Sequence, residues 1–168
     1  MNHIQYASQE DAEEIMSVMM SGLASAKNKD WYVADDLEFV KRHIAKEGYT
    51  LKYVEHGEIA GFLIVRHPGM GKDNLGSYLE DISEEEFYKV THMESAAVLP
   101  KYQGQGIQHK LMARAEEIER ERGTVYLMGT VHPDNIYSRG NLEKLGYDCL
   151  LTTEKYGGLM RNIMCKRI

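Results

Sequence analysis

The stretch VLPKYQGQGIQHKLM, Val98 to Met112, constrains the fold more than any other in the chain. An apolar run ends at Pro100, a short loop carries Gly104 and Gly106, and a helical pattern begins at once. That helix places Ile107, Leu111, Met112, Ala115 and Ile118 on one face, a stripe suited to lying on a sheet. Its first-turn N–H groups have no intrahelical acceptor, and the aligned peptide dipoles leave partial positive charge at that end. Glycines at the entry keep side chains away from those donors. Strand, bare loop and helix N-terminus together make a cradle for an anion. Two nucleotide motifs do not fit it. The dinucleotide fingerprint needs a third glycine where His109 stands, and the P-loop lysine and hydroxyl are absent.

The flanking pattern predicts a mixed α/β sheet with helices on its faces. His3 to Tyr6 reads as a short strand, and Ser8, with Asp11 three residues on, opens a helix with apolar positions Ala12, Ile15, Met16, Met19 and Met20. A second helix is expected from Asp35 to Lys46, with Gly48 as its terminator. YTLKYVEHGEIAGFLIVR reads as a hairpin turning at His56-Gly57. Residues 68–90 form an insertion between the third and fourth strands, glycine-bearing and acidic. It reads as a solvated segment in which Ser83 and Glu86 cap a brief helix, with a functional lid as the alternative. VTHMESAAVL is then a strand, Gly106–Arg122 a helix and TVYLMGTV a strand. Asn135–Leu145 is a helix closed by Gly146, before two last strands, Asp148–Glu154 and Leu159–Lys166, that turn at Gly157-Gly158. One domain over residues 1–168 is expected.

Composition narrows the partners. The net charge of -6 argues against a general nucleic-acid binder, which needs a basic face. The start of the chain has no basic segment followed by an apolar core, as a signal peptide would, and no apolar run approaches a membrane span. Cys149 and Cys165 form neither a disulfide framework nor a ligand pattern. No pair of histidines or acids has convincing metal spacing, so no metal is expected. A cytoplasmic location follows from this reading. His43 and His56 read as solvated surface residues.

Gln103-Gly104-Gln105-Gly106-Ile107-Gln108 resembles the acyl-CoA pyrophosphate loop of the GNAT superfamily of N-acetyltransferases: Gln or Arg, two residues, Gly, one residue, then Gly or Ala. Gln108 departs from the final small residue. Val98-Leu99-Pro100 looks like the family's exit from its fourth strand. HPDNIYSRGNLEKLGY resembles a second landmark, matched at Asn135, Ser138, Lys144, Gly146 and Tyr147. The resemblance implies a GNAT-type fold, a mixed, mostly antiparallel twisted sheet of about six to seven strands flanked by about four helices. It implies an acetyl-CoA-dependent N-acetyltransferase acting on a primary amine of a small molecule or peptide. The alternative is a catalytically idle acyl-CoA-binding module. A mixed sheet with a late hairpin has an edge to be covered or paired, so a homodimer is expected.

Roles for named positions follow from the resemblance. Gln103, Gly104, Gln105, Gly106, Ile107 and Gln108 would hold the pyrophosphate. Ala96, Ala97 and Val98 would bond the pantetheine arm and polarise the thioester carbonyl, and Asn135 would bind a pantetheine amide. Many members carry an acidic Tyr seven residues after that Asn, where this chain has Leu142. Ser138 is the candidate replacement acid and a second contact to the cofactor, with Tyr137 a weaker one. Glu94 is the candidate base, because strand alternation sets it on one face with Ala96 and Val98. His92 lies on that face too, as a substrate contact or reserve base, and His132 is a further base candidate. Trp31 and Tyr32, between the first two helices, are candidate acceptor contacts.

Overall fold

The computed structural model describes residues 2–168. Seven strands form one sheet in the order β1-β2-β3-β4-β5-β7-β6. They are β1 (Ile4–Tyr6), β2 (Gly48–Glu55), β3 (Glu58–Arg66), β4 (Val90–Val98), β5 (Tyr126–Val131), β6 (Asp148–Lys155) and β7 (Leu159–Arg167). Among the described residues the α-helices are α1 (Ala12–Ser25), α2 (Leu37–Ala45), α3 (Glu84–Phe87), α4 (Ile107–Arg122) and α5 (Ile136–Lys144). The pairs β1–β2, β2–β3, β5–β7 and β6–β7 are antiparallel, and β4–β5 is parallel. The expected mixed, mostly antiparallel sheet is present, with the one-turn α3 as a fifth helix.

The chain divides into two compact units, one made of the residues up to Arg66 with Met93–Ala115, the other of His67–His92 with Glu116–Ile168. In the first unit β3 is buried continuously from Ile59 to Val65, the pattern of a strand covered on both faces. Its core joins Ile15, Val18 and Met19 of α1, Val40 and Ile44 of α2, Phe62 and Ile64 of β3, and Ala97 of β4. The Ser8 N–H donates to Asp11 Oδ2 at 2.7 Å, the expected signal ahead of α1. The second helix starts at Leu37 rather than Asp35, because Asp36 takes the cap and accepts the Phe39 N–H at 2.8 Å.

Two readings of this unit need correction. Gly48 does not end α2; it opens β2, where a Cβ would overlap the Val65 carbonyl oxygen. His43 is not a surface residue. It is fully buried, its ring stacked on Phe39 at 4.0 Å and its Nδ1–H donating to the Phe39 carbonyl at 2.7 Å. One turn of helix separates the two residues, so the histidine folds back over its own preceding turn. The His56-Gly57 turn is as expected, with left-handed φ at both residues, 50° and 79°.

In the second unit the segment 68–90 is more than a solvated loop. Leu75 packs in a core with Val90, Met128, Ile163 and Cys165, and Tyr78, Leu79 and Ile82 lean on it. The Ser83 cap is present, its Oγ accepting the Glu86 N–H at 3.2 Å. α5 closes at Gly146 with φ 93°, and the Tyr147 N–H donates back to the Leu142 carbonyl at 3.0 Å. β6 is one edge of the sheet, and its residues run from exposed to half-buried.

Candidate active site

The loop after β4 is built from short local bonds. Pro100–Tyr102 makes a single tight turn, closed by the Gln103 N–H on the Pro100 carbonyl at 3.3 Å. The Tyr102 hydroxyl donates to Glu58 Oε1 at 2.7 Å, and Lys101 pairs with the same carboxylate, which ties the turn to β3. The Gln103 amide donates to the Val98 carbonyl at 3.2 Å. Gly104 and Gly106 then adopt left-handed φ values of 81° and 72°. A Cβ on either would meet nothing within 4 Å. The two glycines are therefore required by backbone conformation, and they also leave the loop's outer side open. The Lys110 N–H bonds the Gly106 carbonyl at 3.0 Å, which makes Gly106 the cap and leaves the N–H groups of residues 107–109 as the first-turn donors. Ile107 is buried, so it anchors the helix start.

β4 is seated by small residues. A Cβ on Gly22 of α1 would lie 3.0 Å from Ala97 Cβ. One on Gly61 of β3 would lie 3.1 Å from the Ala97 carbonyl oxygen and equally near Val98 Cγ2 and Ile107 Cγ2. Glu94, Ser95, Ala96 and Val98 are half-buried, whereas Ala97 is buried. The segment between α1 and α2 comes to this strand. Tyr32 packs against the core, and its hydroxyl lies 3.3 Å from Ser95 Oγ. Burial pushes the Tyr32 phenol up to about 12. Asp35 is half-buried, and its carboxyl is pushed up to about 6 by burial and then by the charges of Glu94 and Asp36. Trp31, also half-buried, closes a short turn capped by Asn28. The first unit thus contains Glu94, Ala96–Val98, the 103–108 loop, Trp31 and Tyr32.

The second unit holds the other candidates. His92 is buried, and its Nε2 accepts the Leu75 N–H at 3.0 Å. That ring faces the 75–78 turn as a structural acceptor, which weighs against a substrate contact. His132 makes the loop bond that such a residue usually makes, its Nδ1 accepting the Asp134 N–H at 3.1 Å. Asn135 caps α5: its Oδ1 accepts the Ser138 N–H and its Nδ2 donates to Ser138 Oγ, both at 3.3 Å. Ser138 is half-buried, Tyr137 is exposed, and Leu142 is buried. Tyr147 is also buried, and burial raises its phenol well above the ordinary range.

Across residues 12–147 the sequence matches the acetyltransferase (GNAT) family. The chain belongs to this family. Solved GNAT structures share its fold. The ribosomal-protein-S18-alanine N-acetyltransferase of Escherichia coli aligns over 100% of this chain and 94% of its own, with a TM-score of 0.75 at 17% identity. YncA of Salmonella typhimurium, solved with its cofactor acetyl-CoA, aligns over 98% and 92%, with a TM-score of 0.68 at 20% identity. A GCN5-related N-acetyltransferase of Kribbella flavida aligns over 98% and 96%, with a TM-score of 0.73 at 15% identity. Comparison with curated protein sequences finds no match.

As a GNAT enzyme the protein is an acyltransferase, and its loop suits the acetyl-CoA this family uses. The open side at Gly104 and Gly106 is the space a Cβ would fill, and the helix donors behind it suit a pyrophosphate. Three features of this GNAT chain escape a reading of the sequence alone. Gly22 and Gly61 are single glycines inside a helix and a strand, and only their close neighbours on β4 explain them. Asp35 reads as a helix opener and proves to be an acid near Glu94. Glu119 is fully buried, and its Oε2 accepts the hydroxyls of Thr91 (2.7 Å) and Thr124 while its Oε1 lies 3.0 Å from His67 Nε2. A signal for the last existed: Glu119 stands four residues past Ala115, in line with Ile107 and Leu111 on the apolar stripe.

Proposed function

We propose that this acyltransferase, as a single domain over residues 1–168, transfers an acetyl group from acetyl-CoA to a primary amine of a small molecule or peptide. One observation carries the reading: in a single unit, an acid on β4 stands a few residues before an open, glycine-bearing loop that leads into a helix N-terminus. In this reading the backbone N–H groups of 104–108 hold the pyrophosphate, the Gln103 N–H being taken by the Pro100 carbonyl. The β4 backbone at Ala96–Val98 takes the pantetheine arm, and Asn135 and Ser138 are its contacts on α5. Acetyl-CoA would supply there an activated thioester with sulfur as leaving group, and the acceptor amine's second N–H proton would balance the thiol released.

The chain's own residues handle proximity and protons. An acceptor amine arrives largely as ammonium and must lose a proton before its lone pair is free. Glu94 receives that proton, directly or through one water. Trp31 and Tyr32 border the acceptor side, and burial of Tyr32 keeps it neutral. Ser138 can donate to the leaving sulfur, although a thiolate with a reference pKa of about 8.5 needs little help. His92 has no role in this scheme, because its ring is buried against the Leu75 N–H. We assign the reaction to the cytoplasm, where Cys149 and Cys165 remain thiols. We further propose a homodimer that covers a sheet edge, and light scattering showing only the monomer mass at working concentration removes that claim.

Release of free thiol from acetyl-CoA across a panel of primary amines tests the function. Acetylation of at least one amine with matching thiol release is expected. Cofactor binding with no turnover on any amine would replace this reading with that of an idle acyl-CoA binder.

A further inference from the structure

The β6–β7 hairpin turns through Tyr156-Gly157-Gly158, and all three residues take left-handed φ, 52°, 80° and 105°. Glycine adopts that backbone freely, whereas a tyrosine is strained in it. The Tyr156 ring reaches back to β5, its hydroxyl 3.2 Å from Thr130 Oγ1. Arg161 Cζ lies 5.7 Å and Lys155 Nζ 5.6 Å from the centroid of that ring. Tyr78, from the 68–90 segment, sets a second ring 5.6 Å from the same Lys155 Nζ. All five residues belong to the second unit.

Sheet register sets the two cations and Thr130 on one face. Lys155 is opposite Leu159, Thr153 opposite Arg161 and Leu151 opposite Ile163, so alternation aligns Lys155, Arg161 and Ile163. Ile163 is in turn opposite Thr130. That face carries the core of Leu75, Val90, Met128, Ile163 and Cys165, and toward the hairpin turn it changes from apolar to cationic. His92 joins it as the partner of Met128, and the next residue of that face along β4 is Glu94. Arg161 is buried, Lys155 half-buried and Tyr156 exposed. Arg161 Nη1 donates to the Met160 carbonyl at 2.8 Å. Among the described residues, Lys155 meets two ring faces and no carboxylate. A ring face balances the charge of an ammonium but does not accept its three N–H donors as oxygens do.

We propose that the turn end of the β6–β7 hairpin binds an anionic group of the acceptor, a carboxylate or a phosphate, through Lys155 and Arg161. The inference rests on the reading of the protein as an amine acetyltransferase, and it narrows the acceptor to amines that also carry negative charge. Tyr78 and Tyr156 hold the Lys155 ammonium, and Tyr156 holds Arg161, so little side-chain freedom is left to lose on binding. Two cations on one ring repel each other, and an anion beside them relieves that repulsion.

The test compares acceptors that differ only in the anion: a panel of amino acids, each against its carboxamide, and O-phosphoethanolamine against ethanolamine. The first pairs report a carboxylate and the last a phosphate. In the wild type the anionic member of at least one pair should lead by about tenfold or more in kcat/KM, the worth of a charged hydrogen bond. Lys155→Gln and Tyr156→Asn should bring that ratio toward one by raising KM for the anionic member. Asn tolerates left-handed φ, so the second variant keeps the turn. Acetylation with equal kcat/KM within every pair overturns the subsite and leaves the acetyltransferase standing. A hairpin clamp that binds nothing would lower the melting temperature of both variants and leave the ratio in place, which also overturns it. NMR of the Lys155 and Arg161 side chains gives a readout that needs no turnover. N-acetyl amino acids or inorganic phosphate should shift both signals, and the N-acetyl carboxamides should not. Absence of those shifts overturns the proposal, even where no amine is acetylated and the reading as an acetyltransferase has itself failed.

Discussion

Gly106→Asp tests the anion cradle most directly, because it changes conformation and charge by amounts that can be separated. At φ 72° a side chain is strained by about 1–2 kcal/mol, with Asp among the residues that tolerate the region best. That strain lowers the stability of the free protein and leaves affinity nearly alone. The charge acts on affinity. A carboxylate about 4 Å from a bound phosphate is repelled by about 4 kcal/mol at an effective dielectric constant of about 20. Each 1.4 kcal/mol is about tenfold, so Kd for acetyl-CoA should rise about 10³-fold. With ligand at about 100 times the wild-type Kd, binding stabilises the native state by about 2.7 kcal/mol. After the substitution the same ligand stands at about a tenth of Kd, and the gain falls to about 0.1 kcal/mol. For a chain of 168 residues that difference is a thermal shift of about 5–10 °C reduced to almost none. Differential scanning fluorimetry with and without acetyl-CoA reads both quantities, and Gly106→Ala supplies the conformational change without the charge. Gly106→Ala should keep most of the shift. An undiminished shift in Gly106→Asp would place the pyrophosphate elsewhere and refute the cradle.

Glu94→Gln should lower turnover at neutral pH by about 10²-fold, with partial recovery at high pH and unchanged acetyl-CoA binding; a raised KM with intact kcat would show the carboxylate only holding substrate. Ser138→Ala should lose less and recover little at high pH, since the proton it supplies goes to sulfur. Burial pushes the Glu119 carboxyl up, but hydrogen bonds from His67, Thr124 and Thr91 override it and hold it at about 2, against an ordinary 4.5. A depressed value means stability that is present above about pH 4.5 and lost as pH falls toward 2, about 3 kcal/mol in all. Urea unfolding from pH 7 to pH 3 should show about 2 kcal/mol of that loss in the wild type and a flatter curve in a less stable Glu119→Gln; parallel curves refute it. Gly61→Val should cost about 1–3 kcal/mol of stability by overpacking, since even its Cβ would sit 3.1 Å from Ala97, Val98 and Ile107 atoms. It should also weaken acetyl-CoA binding, and calorimetry showing full affinity would mean β4 tolerates the displacement.

Much of the fold is legible without coordinates because its signals are local. The turn at His56-Gly57, the stop at Gly146, the cap at Ser83 and the apolar stripe from Ile107 to Ala115 each depend on residues a few positions apart. The loop at Gly104 and Gly106 is legible for the same reason, since a left-handed backbone ahead of a helix is a property of that short segment. Where sequence reading went wrong, the deciding neighbour was distant or the context ambiguous. Gly48 resembles a helix terminator until the Val65 carbonyl is seen against it from β3. His92 looks like a site residue by strand alternation, yet the Leu75 N–H claims its ring.

The sequence by itself determined the order of strands and helices, the glycine-bearing loop ahead of α4 and the family, because periodicity, capping and glycine spacing act over one or two turns of chain. Tertiary structure alone decided how acids and histidines are used. Glu119, His67, Thr91 and Thr124 come from three separate stretches, and their meeting holds a buried glutamate ionised. Asp35 and Glu94 are likewise far apart in the chain, and burial together with the charges of Glu94 and Asp36 raises the Asp35 carboxyl. Burial and neighbouring charge set a side chain's protonation, and both depend on residues remote in sequence.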